Sequence, residues 1–170
     1  MGASGWSYFV PYESDIAQAL GKLRESVFRS GTFYKPMFTR KSKTIAELVK
    51  RNGESGTHSI LDVDRVVSTP LPVPVLKWHF DIVSKTGTPP PQAEFQQRML
   101  AETKFMGAVA PFADEQLEHA FGTNRPTRNT VEQKWFALHD FIPRGCGAFV
   151  IVYDAANSPS EIFFAGKTGD

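Results

Sequence analysis

The sequence predicts an α+β fold: one domain over residues 1–170, with a mainly antiparallel sheet, packed helices and a C-terminal β-hairpin. Three observations carry that expectation. The apolar periodicity runs strand, helices, strands, helices, hairpin, with no repeated βαβ unit. Residues 14–31 carry a single apolar stripe at helical spacing. The last β-rich runs, 148–153 and 162–165, flank a loop of Asp, Asn, Ser and Pro. A chain of 170 residues fits one domain, and 14 Phe, 3 Trp and 4 Tyr are ample for its core.

Taken in order, Trp6, Tyr8 and Val10 alternate with Ser7 and Phe9 and predict a first strand ended by Pro11. Ser14 is placed to cap a helix whose Ile16, Leu20, Leu23 and Val27 share one face. Asp15 suits the positive end of its dipole, and Gly31 is its terminator. A basic loop from Lys35 to Lys43 leads to a second helix. There Thr44 and Glu47 form a capping box, Ile45, Leu48 and Val49 make the buried side, and Asn52-Gly53 closes the turn.

Thr57 to Val67 predicts a buried strand, on the β-branched content of Ile60, Val63, Val66 and Val67. Pro70, Pro72 and Pro74 impose an extended connection, since each fixes φ and lacks a donor. From Val75 to Val83, Leu76, Trp78, Phe80 and Ile82 alternate with Lys77, His79 and Asp81, which predicts another strand. Thr86 to Pro91 is a break, followed by a helix from Gln92 to about Lys104. Residues 70–106 therefore read as a Pro-rich insertion or arm between two compact parts of the domain. Asp114 to Phe121 makes a short helix ended by Gly122. Thr127 caps a further one containing Val131, Trp135 and Leu138.

Composition narrows the function classes. Nineteen basic and eighteen acidic residues leave a net charge of +1, which gives no whole-protein electrostatic footprint for nucleic acid. Cys146 is the only cysteine, so no intrachain disulfide can form and a reducing cytoplasm is the expected location. The first residues lack the basic and apolar regions of a signal peptide, and no apolar run approaches the roughly 18 residues of a membrane span.

The densest chemistry lies between Gly56 and Val67. On an ideal strand His58, Asp62 and Asp64 share one face and Arg65 points to the other. A His–Asp face suits acid–base work or a metal, although capping groups and Asp–Arg pairs use the same residue types more often. Cys146 sits in Arg144-Gly-Cys-Gly, where Arg144 and a histidine such as His139 or His58 could activate a thiolate. The commoner place for such a cysteine is the start of a buried strand. Metal and nucleotide motifs are missing, so neither metal nor cofactor is expected. Gly166-Lys167-Thr168 only superficially ends like a phosphate loop.

Two further surfaces stand out. Helix 114–121, Gly122, the helix after Thr127 and a hairpin follow the order of a winged helix, with Thr123, Asn124, Arg125, Arg128, Asn129 and Thr130 suited to DNA contacts. Val131 lies nine positions after Gly122, farther than the usual tight turn of about three or four residues allows. Lys35, Arg40, Lys41, Lys43, Lys50 and Arg51, interleaved with Phe33, Tyr34 and Phe38, could hold single-stranded nucleic acid; a solvated loop is the commoner use.

The phrases Ser4-Gly-Trp-Ser-Tyr-Phe-Val-Pro-Tyr12, Gly56-Thr-His-Ser-Ile-Leu-Asp62 and Phe121-Gly-Thr-Asn-Arg-Pro-Thr-Arg128 together resemble small stand-alone bacterial proteins of uncharacterised function. The resemblance covers most of the chain outside residues 70–106. It implies a bacterial cytoplasmic protein and assigns no catalytic or binding residue. The leading expectation is a small protein-interaction module, of the kind formed by an immunity or accessory partner of a bacterial toxin or enzyme. Its expected anchors are Tyr8, Tyr12, Phe33, Tyr34, Arg125 and Arg128. The alternatives are a hydrolase or group transferase using His58 with Asp62 or Asp64, or Cys146, and a winged-helix regulator reading DNA with Arg128, Asn129 and Gln133.

Overall fold

Five strands form one mixed sheet in a computed structural model that describes residues 4–35 and 42–169. They are β1 (Gly5–Pro11), β2 (Arg65–Val66), β3 (Ala108–Pro111), β4 (Gly147–Tyr153) and β5 (Pro159–Lys167). Their order across the sheet is β1-β5-β4-β3-β2. The long pairings, β1 with β5 and β5 with β4, are antiparallel. The short ones, β4 with β3 and β3 with β2, are parallel. The single-domain α+β fold is thus present, with a mainly antiparallel sheet and the closing hairpin. Asp154 builds the hairpin turn by accepting the N–H groups of Ala156 and Ser158, while Asn157 takes the left-handed position at φ 59°.

Side-chain alternation along the strands divides the interior into two layers. On one side of the sheet Trp6, Ile162 and Phe164 pack with Leu20, Val27, Ile60 and Leu61. On the other Val150, Val152 and Phe163 pack with Phe121, Val131, Leu138 and Cys146. The first layer is covered by α1 (Ile16–Ser30) and α2 (Ile45–Asn52). The second is covered by α5 (Asp114–Phe121), α6 (Arg128–Lys134) and α7 (Phe136–His139).

The caps explain where helices begin and end. Asp15, one residue beyond the expected Ser14, accepts the N–H of Gln18 at 3.0 Å, and Gly31 closes α1 in the left-handed region at φ 70°. Thr44 caps α2 by accepting the Glu47 N–H at 3.1 Å, as its sequence pattern requires. The expected helix after Thr127 is divided at Trp135 into α6 and α7.

Two expected strands are not strands. Between Thr57 and Val67 only Arg65–Val66 pairs with the sheet; Ile60–Asp62 is a short 3-10 turn. Local hydrogen bonds displace the ladder there: Ser59 Oγ accepts the Leu61 N–H and Asp62 Oδ1 accepts the Thr57 N–H at 2.6 Å. Ile60 and Val63 are buried as expected, but outside any strand, while Val66 and Val67 are half-buried. Val75–Val83 belongs to a helix, α3 (Val75–Thr86), which packs against α4 (Gln92–Thr103). Glu102 caps α3 by accepting the Val75 N–H at 2.7 Å, and Gly87 ends it at φ 70°. Leu71, Val75 and Phe105 bury the two ends of this helical hairpin in the domain.

Candidate functional site

The turns of residues 56–64 scatter the His–Asp set that an ideal strand would align. His58 is half-buried at φ 52° and stacks on Tyr34 with ring centroids 4.7 Å apart. Asp62 folds back onto the turn, its Oδ2 buried without a hydrogen-bond partner among the described residues. Asp64 is exposed beside Arg65, at 3.8 Å. Arg24 reaches this segment from α1 and donates to the Leu61 carbonyl at 3.4 Å. Burial pulls its guanidinium down, against the charges of Asp64, Glu25 and Asp62. Burial pushes the Tyr8 phenol up; hydrogen bonding to the Ile60 backbone opposes that and the Asp62 charge adds to it. Thr57 and Ser59 share a buried hydroxyl contact at 2.8 Å. Together these residues tie β1, α1 and the turn into one polar network.

Cys146 is wholly buried among the apolar side chains behind β4. Burial pushes its thiol up to about 12, so the thiolate that nucleophilic chemistry needs is suppressed at neutral pH. His139 lies elsewhere on the same side of the sheet, against Gly5 of β1. Its imidazole is pulled down by burial and by Lys167, against Asp140.

The expected binding anchors divide between the two faces. Tyr8 and Phe33 pack on the α1 side. Phe33 stacks on Phe28 at 6.2 Å, with Lys35 over its ring. Tyr12 and Tyr34 are exposed. Arg128 lies on the other side: its guanidinium bonds Glu132 at 2.8 Å, pairs with Glu161 of β5 and covers the ring of Phe9 at 4.3 Å. Those carboxylates hold its pKa above the ordinary value. Arg125 stands over Tyr153 at 5.5 Å, and Asn129 bonds Gln133 at 3.1 Å. Arg125, Arg128, Asn129 and Gln133, nominated for DNA, are therefore engaged with their own neighbours. Of the basic and aromatic run, Phe38, Arg40 and Lys41 lie outside the described residues, and Arg51 pairs with Glu47.

A display of exposed apolar side chains on one helical hairpin was not anticipated. On α3 and α4, Leu76, Phe80, Met99 and Leu100 are 61%, 64%, 41% and 69% exposed. Leu76, Phe80 and Met99 line a cleft of about 510 Å³ that runs to Ile142, Pro143 and the end of β5. Its rim carries Lys77, Arg144 and Lys167 against Asp81, Glu102 and Asp140. Burial pulls the Lys167 amine down, with Asp140 opposing and Arg144 adding. The two helices are held together by Arg98, which covers Trp78 at 4.2 Å, and by His79, which meets Phe95 of the cleft lining edge-on at 5.5 Å. The signal was present in the sequence. Leu76, Phe80 and Val83 recur at i, i+4 and i+7, the spacing of one helix face.

Among the described residues no group of three or more His, Cys, Asp or Glu side chains is placed to hold a metal ion, and no helix is long and apolar enough to cross a membrane. No family model matches this chain, and no curated protein or solved structure matches it.

Proposed function

We propose that this protein is a protein-interaction module whose α3–α4 cleft receives the apolar face of an amphipathic helix from its partner. One observation carries the reading: four large apolar side chains on one helical hairpin stand in solvent, three of them lining the same cleft. Contiguous exposed apolar surface of this kind marks interaction sites, and binding energy concentrates in such anchors. Helices of 12 residues are about 18 Å long, which matches roughly three turns of a helix laid between them. The balanced charges at the rim favour a partner that alternates both signs around its apolar stripe. A bacterial toxin or enzyme is the class of partner this reading names, with the chain as its immunity or accessory protein in the cytoplasm.

Phe80→Asp and Leu76→Asp test the proposal in the full chain, since both positions are exposed and line the cleft. A partner captured by photo-crosslinking at Met99 in the wild-type chain should be lost in both variants, with melting temperatures within a few degrees of wild type. Retention of that partner by both variants sinks the reading.

A further inference from the structure

Among the described residues β1 is an edge strand, with β5 as its one neighbour in the sheet. The pairing determines which way its peptide groups point. Tyr12 donates to the Ser160 carbonyl and Thr168 donates to the Ser4 carbonyl, and the register between them is unbroken. Trp6, Tyr8 and Val10 therefore direct N–H and C=O at β5, while Gly5, Ser7 and Phe9 direct theirs outward. Among the described residues these outward groups meet no hydrogen-bond partner. Soluble proteins guard such an edge with a charge, a bulge, a proline or a covering segment. From Gly5 to Val10 the strand has no charged residue and no bulge, and its proline waits until position 11.

The strand is also complementary to itself. Turned antiparallel about Ser7, it sets Ser7 opposite Ser7 and Phe9 opposite Gly5, and no like charges meet. The neighbourhood of Gly5 is suited to a visiting aromatic. The His139 Nε2 stands 2.8 Å from where a Cβ at Gly5 would lie, and Phe136 is 6.3 Å from that imidazole. Phe136 is 71% exposed, more than any other large apolar residue among those described.

We propose that two copies of this chain pair through β1, antiparallel about Ser7, so that their sheets become continuous. Each outward pair then exchanges two backbone hydrogen bonds, and Phe9 of each copy packs beside His139 and Phe136 of the other. None of Gly5, Ser7, Phe9, Phe136 and His139 lines the α3–α4 cleft, which borders this edge at Lys167, the cross-strand partner of Gly5.

Sedimentation velocity on the full chain, from low to high micromolar concentration, reads the assembly. The expected result is a species of twice 18.9 kDa that dissociates on dilution. Ser7→Pro removes an outward donor without touching the β1–β5 ladder, and Ser7→Lys places two lysines face to face. Each should raise the dimer dissociation constant roughly tenfold or more, while Ser7→Thr leaves it within a few-fold. Phe80→Asp should leave dimerisation unchanged, which separates this proposal from the cleft. A chain that stays monomeric throughout overturns it, as does a dimer indifferent to both Ser7→Pro and Ser7→Lys. Protection of the Gly5, Ser7 and Phe9 amides only by a foreign protein would also overturn it, assigning the edge to that protein's strand.

Discussion

Trp6 and Gly166 are cross-strand partners, and the indole fills the space that a side chain at position 166 would need. Gly147, next in line on β4, is crowded by the same ring, whose Cη2 would stand 2.9 Å from an added Cβ. Two glycines therefore let one tryptophan cover the backbone of neighbouring strands, and Trp6 is left 5% exposed. Gly166→Ala should destabilise the fold by about 1–3 kcal/mol through overpacking. Urea midpoints with an unchanged m-value would measure it, and a wild-type midpoint would show that the indole has room to move.

Cys146 should make stability fall at alkaline pH. Its folded thiol lies near 12, against an ordinary value of 9.0, so the unfolded chain releases the proton first. The stabilisation is complete below about pH 9 and is lost as pH rises towards 12, on the order of 4 kcal/mol at most. Cys146→Ala should flatten that part of the stability profile. A thiol reagent should label native protein at pH 8 far more slowly than unfolded protein; equal rates would contradict the buried placement.

His139 acts in the opposite direction. Burial and Lys167 lower its folded pKa, so the unfolded chain takes up the proton first as pH falls through the ordinary 6.5. Its contribution is present above that value and lost on acidification. The apparent pKa followed by NMR should lie below 6.5, and His139→Gln should reduce the loss of stability between neutral and mildly acid pH. A titration at or above the ordinary value would refute the assignment.

His58 occupies the left-handed region at φ 52°, where a β-branched residue is strained. His58→Val should cost about 1–2 kcal/mol more than His58→Gly, which relieves the backbone while losing the Tyr34 stack. Thermal melts of the two variants decide the point. Equal stabilities would mean the turn relaxes.

Much of the fold was legible because its signals are local. The stripe of Leu20, Leu23 and Val27, the Thr44 cap and the glycine at 31 each act within a few residues. The turn at Asp154 is likewise built from its own loop. The exposed apolar face of α3 and α4 was less so. Leu76, Trp78, Phe80 and Ile82 satisfy an alternating pattern as well as two helical stripes, and a pattern that fits both periods does not choose between them.

By itself the sequence determined an α+β domain with α1, α2 and the closing hairpin, since capping, periodicity and turn chemistry operate over one or two turns of chain. Tertiary structure decided the rest. Glu102, 27 residues away, caps α3 and gives residues 75–86 a partner hairpin as a helix. Backbone bonds from Asp64 to Gly107 and from Val67 to Val109 hold Arg65–Val66 parallel to β3, while side chains of the same turn satisfy residues 57–62. The sheet then places Tyr8 and Arg128 on opposite faces and buries Cys146 between helices and strand. Each outcome depends on which distant groups satisfy a backbone donor or exclude water, and such partners meet only once the chain has folded.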